Sequence, residues 1–333
     1  MADQYAELAG RIGLGHSTRI AGLFRLLCDD DIDADLLLAL PGQPAAVAAK
    51  LGLSPEEGER RIQRLFRKGL VFPSLKTDPP TYRMCHDLLQ FHDATLVWPE
   101  APPELLASWR DYMENEWYAL AKNLGQSLTK PQTRVIPVGV AIPAQTNILN
   151  FDSVAEIINQ AEAIAVTPCT CRLSMGKCDR PLEVCIQVNN AARYTLARGS
   201  GRALSKPEAL DMLRQCEEAG LIHVTMNRQD RSNFICNCCP CCCQALPVMI
   251  EGGIKVVDPS RFQAVIDAEA CSGCGLCHDR CYFGAISYRD GEGTPSLVDP
   301  ERCMGCGLCL VTCPEEAITL SEVRDQGFVP GAA

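Results

Sequence analysis

The chain has 333 residues, a formal net charge of −10 from 31 Lys and Arg against 41 Asp and Glu, and 21 cysteines. That length allows two or three domains with their own cores. No apolar run reaches the roughly 18 residues a membrane span needs, and the opening MADQYAELAG has neither the charged n-region nor the apolar h-region of a secretory signal, so a soluble cytoplasmic protein with reduced thiols is expected.

Residues 44–51 read as a short helix with Val47 and Leu51 apolar, and Gly52 makes a turn. Ser54-Pro55-Glu56-Glu57 is a capping box with proline at the first helical position. The helix that follows has the apolar stripe Ile62, Leu65, Phe66 and ends at Gly69; Leu70-Val71-Phe72 and Thr81-Tyr82-Arg83-Met84 then bracket a turn-rich stretch as a hairpin. Helix, turn, helix, hairpin over residues 18–95 resembles the winged helix-turn-helix domains of small bacterial repressors. Such a helix meets DNA phosphates through cations, and this one carries Arg60, Arg61, Arg64, Arg67 and Lys68. Residues 1–100 nevertheless hold 11 basic and 14 acidic side chains, including the run Asp29-Asp30-Asp31-Ile32-Asp33-Ala34-Asp35. A segment of net −3 is a poor polyanion binder, so docking on protein is preferred to DNA. The acidic run reads as a solvated loop and helix start.

Residues 101–150 read as a connector. Pro103 opens a helix with Leu105, Trp109, Tyr112, Met113, Leu120 and Leu124 at helical spacing, Gly125 ends it, and the aromatics suit interdomain packing. Residues 135–143, with Pro137 and Pro143, read as extended chain.

Ser153 caps a helix to Ala163, and Ile164-Ala165-Val166-Thr167 is a short buried strand. It leads into Cys169-Thr170-Cys171-Arg172, Cys178 and Cys185. Further on stand Cys236, Cys238, Cys239, Cys241, Cys242 and Cys243, six thiols in eight positions. Thiols packed as small hydrophobes would alternate with other apolar residues, whereas these are adjacent on every face, and soft metal explains that density. The ten cysteines suit two cubane clusters, one cube with spare thiols, a non-cubane cluster or mononuclear zinc. The preferred grouping is one iron–sulfur cluster on Cys169, Cys171, Cys178 and Cys185, with residues 236–243 completing it or supplying a second. Arg172 either stabilises a reduced cluster or lies on the surface. Between the two groups, Ser205-Lys206-Pro207-Glu208 opens a helix ending at Gly220, and a hairpin through residues 229–232 follows, an echo of the N-terminal helix and wing. Cys28, Cys85 and Cys216 read as core.

The C-terminal region repeats itself. Cys271-x2-Cys274-x2-Cys277-x3-Cys281 and Cys303-x2-Cys306-x2-Cys309-x3-Cys313 are two copies of one pattern at an offset of 32 residues, and Asp267, Gly273, Gly275, Leu276 and Ile286 recur as Asp299, Gly305, Gly307, Leu308 and Ile318. Each half reads as strand, loop, helical turn and strand. The pattern resembles bacterial-type two-cluster ferredoxins, whose last cysteine in each run serves the other cluster. That resemblance implies two [4Fe–4S] clusters, one on Cys271, Cys274, Cys277 and Cys313, the other on Cys303, Cys306, Cys309 and Cys281. Tyr282 stands where the family has proline, which is expected to alter packing and not ligation. From Arg261 onward there are 5 basic and 11 acidic side chains, which suits either docking on a basic surface of a redox partner or ordinary solubilising charge.

No dinucleotide fingerprint, phosphate loop or HExxH site is present, and the five histidines are scattered. The expected fold class is therefore α+β: a winged helix over residues 1–100, a helical connector over 101–150, a cysteine-rich α/β middle domain over 151–258 and a βαββαβ ferredoxin-like domain over 259–333. As a whole the order resembles multi-cluster iron–sulfur proteins of anaerobic bacteria. The expected function is relay of low-potential electrons to or from a partner oxidoreductase within a complex. A redox-sensing transcription regulator that binds DNA, and an iron–sulfur enzyme acting on thiols or disulfides at the middle cluster, are the alternatives.

Overall fold

The computed structural model describes residues 3–74, 76–127, 129–139, 149–230, 232–288 and 294–331. The chain divides into two compact units, one of residues 1–117 with segments 173–175 and 196–201, the other holding the remainder.

In the first unit, Ser54 accepts the Glu57 N–H at 3.2 Å to start helix Pro55–Lys68, and Gly69 closes it at φ 88° in the left-handed region that favours glycine. β1 (Val71–Ser74) and β2 (Thr81–Met84) form the antiparallel hairpin after it. Phe24 stacks on Phe91 with centroids 4.2 Å apart, and Trp109 meets Phe91 edge-on at 5.0 Å while its indole N–H donates to Thr95 Oγ1 at 3.0 Å. Trp109 and Tyr112 thus belong to the core of this unit and not to packing between domains. The helix that carries them runs Pro103–Tyr112, widens into a π-turn at Met113–Trp117 and resumes as Tyr118–Ser127. Gly125 does not end it. A Cβ there would collide with the Ile254 side chain, so close packing, and not termination, requires the glycine.

The acidic run is structural. Asp30 caps helix Asp31–Ala39 and Asp33 is fully buried. Arg61 donates to Asp33 Oδ1 at 2.7 Å, to Asp30 Oδ1 at 2.8 Å and to Glu57 Oε1 at 2.6 Å, and Arg64 donates to Asp33 Oδ1 at 2.9 Å. Lys68 pairs with Asp29, Arg67 with Glu100 and Arg60 with Glu57. The solvated loop expected from sequence is the counter-charge of the helix it precedes.

The second unit is built on a six-stranded sheet. In chain order its strands are β3 (Thr133–Val135), β4 (Ile164–Pro168), β5 (Glu183–Val188), β6 (Arg202–Ala203), β7 (Ile222–Met226) and β8 (Phe234–Cys238), arranged β3-β7-β8-β5-β4-β6. Every pairing is antiparallel, so the middle region is α+β and not the α/β arrangement expected. The hairpin β7–β8 fills the sheet interior between β3 and β5, and therefore is not a free wing. Helices Val154–Gln160 and Lys206–Glu218, the latter opened by a reciprocal capping box at Ser205 and Glu208, cover one sheet face with Val154, Ile158, Ala209 and Leu213 against Ile164, Val166, Ile186 and Ile235. The extended segment read at 135–143 begins in β3; its residues 140–143, like Arg231 of the 229–232 turn, lie outside the described residues.

The C-terminal part of this unit has β9 (Phe262–Ile266), helix Leu276–Arg280, β10 (Ile286–Ser287), β11 (Leu297–Val298), helix Leu308–Val311 and β12 (Ile318–Glu322). β12 pairs antiparallel with β9, and β10 with β11. The duplication closes on itself: the Asp267 N–H donates to Ala317 O at 2.8 Å, and at the equivalent position the Asp299 N–H donates to Ala285 O at 2.7 Å. Behind β9, Arg261 donates to fully buried Asp152 at 2.5 Å. No helix among the described residues is long and apolar enough to cross a membrane.

Candidate metal centres

All 21 cysteines are free. Strand periodicity decides which of the middle cysteines share a face. Side chains alternate across β8, so Ile235 and Asn237 face the helices while Cys236 and Cys238 face the other way. The register that pairs Ile186 with Ile235 sets Cys185 opposite Cys236 on that same face. One apolar cluster packs against Cys236, Cys238 and Cys243 and also contains or touches Cys277, Cys281, Cys303, Cys306, Cys309 and Cys313. The thiol face of the sheet is therefore packed on the duplicated C-terminal region.

Within that region, Cys271, Cys274, Cys277 and Cys313 line one cavity together with Ile266 and Ile318. Cys274 is exposed, whereas Cys277 is buried. Cys281, Cys303, Cys306 and Cys309 form a second neighbourhood: burial pushes the Cys306 thiol up to about 12, and proximity to Cys281 and Cys303 adds to the rise. Burial also raises Cys309, and the proximity of Cys306, Cys303, Cys281 and Cys277 adds to the rise. Two equivalent amides point at sulfur, Ala285 N–H to Cys281 Sγ and Ala317 N–H to Cys313 Sγ, each at 3.3 Å. The loops owe their path to glycine. Gly305 has φ 62°, and a Cβ on it would strike the Phe262 carbonyl and Ser260.

The ten middle cysteines separate differently from the sequence grouping. The Cys178 sulfur lies 3.9 Å from Cys239 and 3.8 Å from Cys242, and Cys241 lies 3.8 Å from Cys242. Cys169, Cys171, Cys243, Cys238 and Cys236 form a second set, hydrogen-bonded in that order. In this chain Cys243 is held well below the ordinary thiol range because Cys171 and Cys238 donate to it, with backbone N–H groups of Leu246 and Ala245 adding to them. Cys171 is pushed well above that range by its bonds to Cys169 and Cys243 and by burial, and Cys238 by Cys236, Cys243 and burial. Two thiolates 4 Å apart repel by about 4 kcal/mol at an effective dielectric of 20. Full ionisation of either set therefore requires a cation among the sulfurs, and thiolate selects a soft one.

Arg172 is 3 % exposed, which removes the surface reading. It donates to the carbonyls of Pro181 and Asn237, and although burial disfavours its charge, the neighbouring sulfurs of Cys169 and Cys239 raise its pKa. His223, one of the scattered histidines, is buried on β7 with Nδ1 2.6 Å from Asn237 Oδ1 and Nε2 3.1 Å from Glu217 Oε1. Its sequence signal was the alternation of β7, which sets it opposite Ile222 and Val224. His278, beside Cys277, is exposed and contacts Asp279 at 3.1 Å. Tyr282, in the position of the missing proline, accepts a hydrogen bond from Arg180 at 2.9 Å and lies under its guanidinium, joining the C-terminal region to the loop after Cys178.

Residues 264–320 match the family described as a 4Fe-4S dicluster domain. That region is a ferredoxin-like iron–sulfur domain. No curated protein and no solved structure matches the chain.

Proposed function

We propose that this protein relays single low-potential electrons to or from a partner oxidoreductase, in an oxygen-poor cytoplasm. The observation that carries the reading is the shared apolar cluster, which seats thiols of the sheet and thiols of the dicluster region against one core. In this reading Cys271, Cys274, Cys277 and Cys313 hold one [4Fe–4S] cluster and Cys303, Cys306, Cys309 and Cys281 the other. Cys169, Cys171, Cys236, Cys238 and Cys243, with Cys185 on the same face, hold a further iron–sulfur centre. Bound clusters of this kind take up and release one electron at a time.

The chain's own residues set the conditions for that chemistry. The amides of Ala285 and Ala317 stabilise charge on Cys281 and Cys313, and Arg172 supplies a buried positive charge beside Cys169 and Cys239. Apolar packing by Ile266, Ile318, Leu308 and Phe262 excludes water around the thiols. The acidic C-terminal surface steers a basic partner. The N-terminal unit docks on protein and not on DNA, because all five cations of helix Pro55–Lys68 already pair with carboxylates of their own unit.

Iron and sulfide content with EPR on anaerobically purified protein tests the proposal. Clearly more than about eight irons per chain, with signals beyond those of two cubes, is the expected result; about eight confines the clusters to residues 264–320 and removes the middle centre. Absence of iron would sink the whole reading. Binding of a duplex DNA at low salt in either redox state would overturn the docking role of the N-terminal unit.

A further inference from the structure

Four sulfurs stand apart from the rest. Those of Cys178, Cys239, Cys241 and Cys242 all lie within 4.8 Å of one another, and the closest pairs are 3.8 to 3.9 Å apart. One tetrahedral ion with sulfur ligands at about 2.3 Å holds them about 3.8 Å apart, the edge length of that tetrahedron. A cube instead binds each thiolate on a different iron, so its ligands stand farther from each other than two ligands on one atom. A disulfide needs sulfurs about 2.05 Å apart and is excluded by the same spacing.

We propose that Cys178, Cys239, Cys241 and Cys242 bind a single zinc ion, a centre separate from the iron–sulfur clusters and inert to electron transfer. The local chain builds it from two turns. Gly176, at φ 60°, ends helix Thr170–Met175 and swings Cys178 out of the helix direction, while Pro240 bends the chain leaving β8 so that Cys239, Cys241 and Cys242 converge. Backbone N–H groups of Arg180 and Lys177 point at the sulfurs of Cys178 and Cys242. Cys239 and Cys242 are 1 % exposed, and all four positions of the tetrahedron are filled by protein, which is the arrangement of a structural site and leaves none for substrate. Its effect is positional. It ties the turn after Cys169 and Cys171 to the turn after Cys236 and Cys238, and so holds together the two segments that supply the neighbouring thiol set.

The test uses the full-length protein purified anaerobically from cells supplied with both iron and zinc. One zinc per chain is expected, and X-ray absorption at the zinc edge should give four sulfur neighbours at about 2.3 Å. A Cys241→Ser, Cys242→Ser double variant should lose the zinc and keep the iron and EPR signals of the two clusters in residues 264–320, with at most a broadened signal from the neighbouring thiol set. Zinc-free protein whose iron falls by about four atoms per chain in that variant would assign the quartet to a cluster and overturn the proposal. The zinc-edge spectrum of the unaltered protein decides the matter even if the variant does not fold. Failure of the electron-transfer reading would show instead in the iron content, which the zinc measurement does not touch.

Discussion

Replacing Asp33 by alanine removes a fully buried carboxylate that accepts from Arg61 at 2.7 Å, from Arg64 at 2.9 Å and from the Asp29 N–H at 3.0 Å. Breaking a buried ion pair by deleting one partner typically costs 3–5 kcal/mol. Arg61 retains Asp30 and Glu57, and Arg64 stays beside Asp29, so the lower end applies, about 3 kcal/mol. Hydrogen exchange followed by mass spectrometry reads this locally, which matters in a chain of two units that need not unfold together. Amides of helices Asp31–Ala39 and Pro55–Lys68 should exchange about a hundredfold faster, while those of β7 and β8 stay unchanged. The difference should survive high salt, because buried pairs are poorly screened. A change below about threefold would mean that apolar packing alone holds the helix and that its cations are not committed to internal carboxylates.

Ligand crossing predicts non-additive iron loss. A Cys271→Ser, Cys313→Ser pair should cost no more iron than either single change, about four atoms, whereas Cys281→Ser with Cys313→Ser should cost about eight; the reverse order would uncross the ligands. Arg172→Met should lower the potential of the proposed middle centre in a redox titration and destabilise the second unit by about 3 kcal/mol, since two carbonyls lose charged donors. Tyr282→Phe removes one hydrogen bond from Arg180 and leaves the stacked ring, so a loss near 1 kcal/mol in a denaturant titration is expected, and no change in iron. Asp30 is held below the usual carboxylate range by its hydrogen bonds to Arg61, so its contribution is complete above the unfolded pKa and is lost as pH falls through the lowered folded value; acid titration of exchange in helix Asp31–Ala39 checks the sign.

Legibility in the sequence followed the range of the interactions. The C-terminal repeat was readable because its cysteines lie within short loops and the second copy checks the first. The helix after Ser54 and the hairpin were readable from caps and periodicity. The grouping of Cys178 was not, since it depends on how the turn at Gly176 meets the turn after β8, about 60 residues away. The acidic run misled for the same reason: Asp33 and Arg61 are 28 positions apart, and nothing local marks them as partners. Gly125 reads as a helix stop in the sequence because the Ile254 contact that requires it is invisible in one dimension.

The thiol face of the sheet is closed over by the C-terminal region, and Cys239, Cys242, Cys277, Cys303 and Cys309 are buried. Iron offered to the folded chain would have to cross that packing to reach them, whereas exposed Cys274 is open to solvent. On the proposed assignment the expected order is metal first and docking of β9 to β12 onto the sheet afterwards, so a chain made without iron should exchange the amides of β9 to β12 faster than the loaded protein.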